Sequence, residues 1–582
     1  MAEYTGGEII AKMLVKEGVE KIFGIIDGTY FGFYSKLKEN GIDLITPRHE
    51  TTAAHMAGAY ARVTNRLGVC MASNGPGVAN ILPGLVVEEA EGNRVLCITS
   101  ARRTGIMYPD RGGTYQCFDQ TATISQFAKW SEAVPSFDRI PELLRMALRK
   151  CFEGRPGVVH LDIPENIMNG KFKCEPSFWE PAQYRLMEHP LASSYQVERA
   201  AQLLKSASFP IIHAGSGVIH SGAKQELTQV AEALNAMVTT SWAGRGAMSE
   251  QNRLMMPMVH IEANNNVRND ADVVLVLGSR LGETDWWGKA PYWNKDQKVI
   301  QVDLNVMNLG ANKPAELTIQ ADIKVFLQQL LTALKDDFIP PVDIRREDLI
   351  EKHLKSKAEH RKKLDEHLTD TNSPLNPAQV PHLANKIFPK NTPLVMDGGN
   401  TVIWSNFYYE VNDEMPILST FKFGMLGAGV GQALGAAVAK PDAPVLCIIG
   451  DGAMGFHPQE IETAIRNHLH VVYIVMCDKQ WGMVKMNQHF ALRPLKTMIK
   501  KTLDPHESIN ADLGEIRFDL VAQAMGAHGE FVDNPTDLEA ALKRSIEVGK
   551  CTVIHAEVDP VKHMWAPGLR YFKDMHAEPK GK

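Results

Sequence analysis

No apolar run in this sequence reaches membrane-spanning length, no stretch carries a dominant positive charge, and no two cysteines form a C-x-x-C pair. The first absence excludes a spanning helix, so no membrane partner is expected. The second leaves nucleic acid and anionic lipid without an electrostatic reason to bind: 62 Lys and Arg stand against 68 Asp and Glu, a net charge of -6. The third argues against a zinc site or a redox pair. Of the eight cysteines, Cys70, Cys97 and Cys447 sit inside apolar runs (GVCMA, VLCIT, VLCII) and read as small buried hydrophobes in a reducing compartment. The opening MAEYTGGEII has neither a basic nor an apolar leader stretch, so the cytoplasm is the expected location.

What is present is an ordinary globular composition, 44% apolar and 22% charged, over 582 residues. That length exceeds one hydrophobic core and predicts three or four domains. Three segments repeat a short apolar strand, a glycine turn and an amphipathic helix. This rhythm predicts an α/β fold of three doubly wound parallel sheets covered by helices. Segment 1–185 opens on Thr5-x-x-Glu8, a capping-box spacing, with strand candidates Ile22–Ile26, Val69–Ala72, Val95–Thr99 and Val158–Ile163. Segment 186–340 contains PIIHAGSG, VVLVLGSR and KVIQVDLN. A charged stretch within 341–375, RREDLIEKHLKSKAEHRKKLDEHL, reads as a solvated helix or linker. Segment 376–560 has strand candidates Leu394–Met396, Val445–Ile449, Val471–Met476 and Val553–Glu557. The tail, 561–582, carries Met564, Trp565, Leu569, Tyr571 and Phe572, too apolar to stay free. It reads as a lid over a pocket or as docking on a neighbouring subunit.

The sharpest local feature is APVLCIIGDGAMGFHPQEIETAIRNHLHVVYIVMCDKQWGMV. One apolar strand ends at Gly450-Asp451-Gly452, and a second ends at Cys477-Asp478. In a parallel sheet both reach the carboxyl edge, where ligands bind. Two oxygen ligands there suit magnesium, which takes few protein carboxylates and completes its octahedron with phosphate and water. Gly450 and Gly452 let backbone approach a phosphate, and the following helix points its N-terminus at it. Alone, the motif reads more readily as an Asp-Gly turn between strand and helix; the second strand end 27 residues on shifts the balance.

This segment resembles the thiamine diphosphate signature, GDG followed some two dozen residues later by NN. The resemblance implies Asp451, Asp478 and the backbone carbonyl of Gln480 as ligands of Mg²⁺. Cys477-Asp478 departs from Asn-Asn; an aspartate remains a hard oxygen ligand but adds a negative charge beside a diphosphate. FGIIDG, PRHE, SNGPGVAN and GRPGVVHLDIPENI follow the order and spacing of the pyrimidine-binding domain of the acetolactate synthase family. Glu50 then takes the role of the acid that favours the imino form of the cofactor, whose amine deprotonates the thiazolium C2. Its pKa is expected to be raised by burial. Taken without the resemblance, Glu50 is a helix-start acid favoured by the dipole. FKFGMLGAGVGQALGAA places Leu426 under the bend of the cofactor, and DGGNTVIW places Asn400 and Thr401 at the diphosphate. Gly28, Asn80, Gly424, Ala453, Trp481, Gly482 and Met483 fall at other cofactor positions. The resemblance covers nearly the whole chain. It implies an active site shared between subunits, hence at least a homodimer and in the larger assembly a homotetramer, acting on a small molecule.

For the reaction, Gln116 and Tyr115 in GGTYQCFDQ align with the family's active-site glutamine and the aromatic beside it. Asn487 and Thr284 stand where acetolactate synthase keeps a tryptophan and an arginine. Arg493, Lys496, Lys500 and Lys501 cluster as a solvated face or as a cradle for an anionic tail such as that of coenzyme A. QWG resembles sulfoacetaldehyde acetyltransferase. The blend favours a 2-hydroxyacyl-CoA lyase-like carbon–carbon lyase, with an acetolactate synthase-like decarboxylase and carboligase, or a sulfoacetaldehyde acetyltransferase-like enzyme, as the alternative. A non-catalytic protein of the same fold is the remote one. In relatives the central domain binds FAD, ADP or nothing, and Asp303 at a strand end could meet an adenosine ribose.

Overall fold

The computed structural model describes residues 2–107, 110–335 and 344–576. Residues 341–343 of the charged segment and 577–582 of the tail lie outside the described residues. Three parallel sheets follow one another along the chain. The first comprises β1 (Lys21–Gly24), β2 (Asp43–Ile45), β3 (Gly68–Ala72), β4 (Val95–Ala101), β5 (Trp130–Ala133) and β6 (Val158–Pro164), in the order β2-β1-β3-β4-β6-β5. The second comprises β7 (Pro210–Ala214), β8 (Met237–Thr240), β9 (Val273–Leu277), β10 (Lys298–Asp303) and β11 (Leu317–Gln320), in the order β8-β7-β9-β10-β11. The third comprises β12 (Leu394–Asp397), β13 (Ile417–Leu418), β14 (Val445–Gly450), β15 (Val471–Cys477), β16 (His528–Val532) and β17 (Thr552–Glu557), in the order β13-β12-β14-β15-β17-β16. Central strands such as β9 and β15 are apolar at nearly every residue because helices cover both faces of each sheet.

Five helices matter for the site: α1 (Glu50–Thr64), α2 (Ile344–Asp365), α3 (Ala428–Ala439), α4 (Gly482–Leu492) and α5 (Leu569–His576). Helices α1 and α3 are rich in Ala and Gly, and the small residues let their axes close in. A Cβ on Gly435 would stand 2.4 Å from the Met56 carbonyl, and one on Gly431 would stand 2.8 Å from the His55 Cβ. One continuous buried cluster therefore joins the first and third sheets, including Ala53, Ala57, Val430 and Leu434. The second and third sheets are tied by buried Arg245. It donates to Glu250 (2.7 Å), to Asn406 Oδ1 (2.6 Å) and to the Tyr409 carbonyl (2.7 Å).

Two local expectations need correction, and a third gains its contacts. Thr5 caps its helix by accepting from the Glu8 N–H at 3.0 Å, but Glu8 turns to Lys12 (3.7 Å) rather than back to the cap. Helix α2 is a helix but not simply a solvated one. Its buried Arg346 donates to the carbonyls of Ala207, Ser208 and Leu234, and Ile350 is fully buried. The described part of the tail, read as a lid or as docking on a neighbour, has contacts within its own chain. Tyr571 accepts from Trp286 Nε1 at 2.5 Å and the Phe572 ring lies 4.5 Å from Trp242, so α5 docks on the central domain of its own chain. Trp286 and Trp287 both hold left-handed backbone, φ 54°, and Trp286 stacks on Tyr292 at 3.5 Å.

Candidate active site

Neighbouring strands of the third sheet deliver four polar side chains to one carboxyl edge. Thr401 follows β12, Asp451 follows β14, Asp478 follows β15 and His563 follows β17. The Asp451 carboxylate accepts from the Gly452 N–H and the Lys479 N–H, both at 2.7 Å, so the loop after β15 is bonded to the turn after β14. Burial, and then the charge of Asp478, push the Asp451 carboxyl up to about 6. Asp478 Oδ2 meets His563 Nδ1 at 2.7 Å and accepts from Gln480 Nε2 at 3.0 Å. Lys479, the nearest lysine in sequence, is turned to Glu557 (2.7 Å) and Glu515 instead.

Around these acids the backbone leaves room that side chains would fill. A Cβ on Gly450 would stand 3.1 Å from Thr401 Oγ1, one on Gly452 would stand 2.7 Å from the Trp481 ring, and one on Gly482 would stand 2.7 Å from Asn400 Nδ2. Asn400 is 4% exposed, yet neither its Oδ1 nor its Nδ2 has a hydrogen-bond partner. Unsatisfied buried amides are costly, and this one faces a glycine-lined hollow. Hard carboxylate oxygens, glycines for close approach and an unpaired amide fit a divalent cation bound to a diphosphate. Ala453 is buried beneath the turn, and Met483 packs beside Gly399. Asp451, Gly452 and Trp481 line a cavity of about 580 Å³ together with Cys477, Leu513 and His555.

Glu50 sits apart from this edge, as the first residue of α1 at the carboxyl side of the first sheet. Asn80, expected at the cofactor, donates to Glu50 Oε2 at 3.1 Å. The expected burial of Glu50 is not supplied by its own chain, which leaves it partly open. The backbone just before it is fastened to the third sheet's side of the molecule, where buried Glu460 accepts from the Arg48 N–H at 3.0 Å. Gln116 lies near the same edge in a left-handed conformation, φ 55°. Its carbonyl accepts from Asn74 Nδ2 at 2.9 Å, and Gly75 packs so close that a Cβ would stand 2.8 Å from it. Tyr115 is 76% exposed, and the Gly28 carbonyl accepts from Asn169.

A larger cavity of about 2350 Å³ runs from the carboxyl edge of the second sheet to Leu426 and Met483. Gly278, Arg280, Trp287 and Asp303 of the central domain line it, as does Phe572 from α5. Gly424, in left-handed backbone at φ 70°, also lines it. Asp303, expected where a ribose could be met, accepts from the Asn305 N–H (2.7 Å) and from Asn308 Nδ2 (3.2 Å) of its own turn, one bond on each oxygen. Two of the four residues of the basic cluster also have acidic neighbours. Lys496 pairs with Asp504 (2.9 Å) and with Glu507, and Arg493 lies 3.7 Å from Glu507. His563 escaped the sequence reading. Its signal was positional: a histidine just beyond a strand that neighbours the Asp478 strand.

Three family profiles match the chain in order: the N-terminal TPP binding domain of thiamine pyrophosphate enzymes over residues 4–123, their central domain over 197–330, and their C-terminal TPP binding domain over 397–556. The chain is similar to a sulfoacetaldehyde acetyltransferase of Alcaligenes xylosoxydans xylosoxydans, 30% identical over 94% of this chain and 92% of the relative. It is similar to a probable acetolactate synthase large subunit of Methanocaldococcus jannaschii, 29% identical over 99% and 96%. It is also similar to the acetolactate synthase isozyme 3 large subunit of Escherichia coli K12, 26% identical over 98% and 97%.

Proposed function

The chain belongs to the thiamine pyrophosphate enzymes, and from that membership we propose a carboligase that breaks a carbon–carbon bond next to a carbonyl and passes the acyl unit to an acceptor. The observation that carries the proposal is the meeting of Asp451 and Asp478 at one strand edge beside the unpaired Asn400. In this reading Asp451, Asp478 and Gln480 hold Mg²⁺. Asn400 and Thr401 hold the diphosphate, and Leu426, Met483 and Trp481 wall the rings. Bound there, the cofactor supplies the nucleophilic carbon. The chain's own part is to place a carboxylate, Glu50, at the pyrimidine, to exclude water with the apolar walls, and to present Gln116 to the substrate.

Glu50 is only partly buried, and its side-chain bond is to Asn80 of its own domain rather than to the Asp451 edge. This supports a site completed by a second copy, hence at least a homodimer. A cytoplasmic enzyme acting on a small molecule accords with these features, and among the described residues no helix is long and apolar enough to cross a membrane.

Pyruvate, which loses CO₂ by carbon–carbon cleavage, is the acyl donor to try first, and sulfoacetaldehyde, which would give the same acetyl unit by losing sulfite from its carbon–sulfur bond, is the second, because the relatives are named for acetolactate synthesis and acetyl transfer. The 2-hydroxyacyl-CoA reading loses support, since the relatives are named for acetolactate synthesis and acetyl transfer, and two of the four residues of the basic cluster, Lys496 and Arg493, face Asp504 and Glu507. The 2350 Å³ cavity, with Arg155 and Arg280 on its wall, has the size and charge for FAD or ADP. The deciding experiment incubates the protein with thiamine diphosphate and Mg²⁺ against a panel of 2-keto acids, sulfoacetaldehyde and 2-hydroxyacyl-CoAs, with products identified by mass spectrometry. Acyl transfer from one of the first two classes is expected; turnover of the CoA thioesters alone would reverse the choice.

A further inference from the structure

His563 is 3% exposed and its ring bridges two groups of the site. Nδ1 lies 2.7 Å from Asp478 Oδ2, and Nε2 lies 3.2 Å from Thr401 Oγ1. The backbone that carries the ring is held too, since the His563 carbonyl accepts from Trp404 Nε1 at 2.9 Å. A carboxylate only accepts hydrogen bonds, so Nδ1 carries the proton shared with Asp478. In a neutral ring the Thr401 hydroxyl then donates to Nε2. Gln480 Nε2 donates to the same Oδ2 at 3.0 Å and to the Pro560 carbonyl at 2.8 Å. Both bonds thus fall on one oxygen of Asp478 and leave Oδ1 as the one they do not occupy.

An aspartate beside a second buried acid has no reason of its own to hold a single rotamer. Two donors on one oxygen supply that reason. We propose that His563 is a positioning residue: with Gln480 it ties down Oδ2 of Asp478, turns Oδ1 toward the cation, and couples that acid to Thr401 at the diphosphate. This rests on the reading of Asp451 and Asp478 as the carboxylates of the cation. Outer-shell partners of metal ligands typically change affinity by about 10- to 100-fold.

The test uses the full-length protein and the variants His563→Ala, His563→Asn, Gln480→Ala, Asp478→Ala and the double variant of His563 and Asp478 to Ala. The readout is the dissociation constant of thiamine diphosphate by calorimetry, with Mg²⁺ and then with Ca²⁺. His563→Ala is expected to weaken Mg²⁺-supported binding by roughly tenfold or more. The loss with Ca²⁺ is expected to be smaller, because Ca²⁺ tolerates irregular ligand geometry and Mg²⁺ does not. His563→Asn, whose amide can still donate, should recover most of the affinity. The double variant should bind no worse than Asp478→Ala alone. If the two losses multiply, or if His563→Ala binds like the wild type, the proposal falls. If His563→Ala does not fold, Gln480→Ala and His563→Asn carry the same comparison. A wild-type protein that binds no cofactor with either cation removes the site reading itself, and the proposal with it.

Discussion

Gly482→Ala separates cofactor binding from stability. Gly482 is the first residue of α4, and its φ is not in the left-handed region, so alanine meets no backbone penalty there. Alanine is the better helix former by up to about 1 kcal/mol. The added Cβ would stand 2.7 Å from Asn400 Nδ2 and 3.4 Å from Asp478 Oδ2. Ordinary contact requires Asn400 to retreat by about 0.7 Å or more. Retreat costs the apo fold little, because neither amide atom of Asn400 has a partner to lose. It costs the complex a hydrogen bond to a charged diphosphate, about 1.5–3 kcal/mol, or roughly 10- to 150-fold in affinity. The assay is a titration of thiamine diphosphate at fixed Mg²⁺, followed by calorimetry or near-UV circular dichroism, with thermal unfolding of the apo protein alongside. The apo variant should melt at or slightly above the wild type. Asn400→Ala should lose a similar factor, and the double variant little more. Unchanged affinity in Gly482→Ala, or a lower apo melting temperature, would refute the reasoning.

Glu50→Gln should leave cofactor affinity within a few-fold and slow C2 proton exchange by orders of magnitude; fast exchange measured by NMR would remove Glu50 from its role. The Asp451 carboxyl lies at about 6, above the ordinary 3.8. Its ionisation therefore opposes the apo fold: the favourable contribution is complete below 3.8 and lost as pH rises through about 6. The cation requires the ionised form, so cofactor affinity should fall about tenfold per pH unit below 6. Asp451→Asn should abolish Mg²⁺-supported binding, and a wild-type affinity that does not change between pH 5 and 7.5 would contradict the assignment. Arg280→Ala should weaken binding of FAD or ADP, read by fluorescence or calorimetry, without changing thiamine diphosphate affinity. Lys496→Ala should leave activity with every substrate unchanged, because Lys496 already answers Asp504 and Glu507; a loss specific to CoA thioesters would restore the cradle.

Much of the fold was legible because buried parallel strands leave little freedom of composition. The expected Val471–Met476 and the observed β15 differ by one residue, as do Leu394–Met396 and β12. Asp451 and Asp478 could be paired on paper because adjacent strand ends share an edge. What stayed hidden depends on contacts between distant segments. Nothing local to VKHMW announces that His563 turns toward Asp478, which is 85 residues earlier. The left-handed Gln116 is imposed by Asn74 and Gly75 across a loop. Runs of charge misled for the same reason. Arg346 and Lys496 look like solvent-facing residues until their carbonyl and carboxylate partners, brought in by folding, are seen.

The loop at Trp286 and Trp287 is held bent from within, where the Trp287 N–H donates to the Gly282 carbonyl at 3.0 Å, and from outside as well. Left-handed backbone at two successive bulky residues favours straightening. The Tyr292 stack and the Tyr571 bond oppose it. Loop and terminal helix therefore stay closed, or spring open, as one piece, and the cavity wall at Trp287 and Phe572 changes shape with them. A clone trimmed near residue 570, or fitted there with a purification handle, would be a different catalyst at its cavity rather than a tidier copy of the same one.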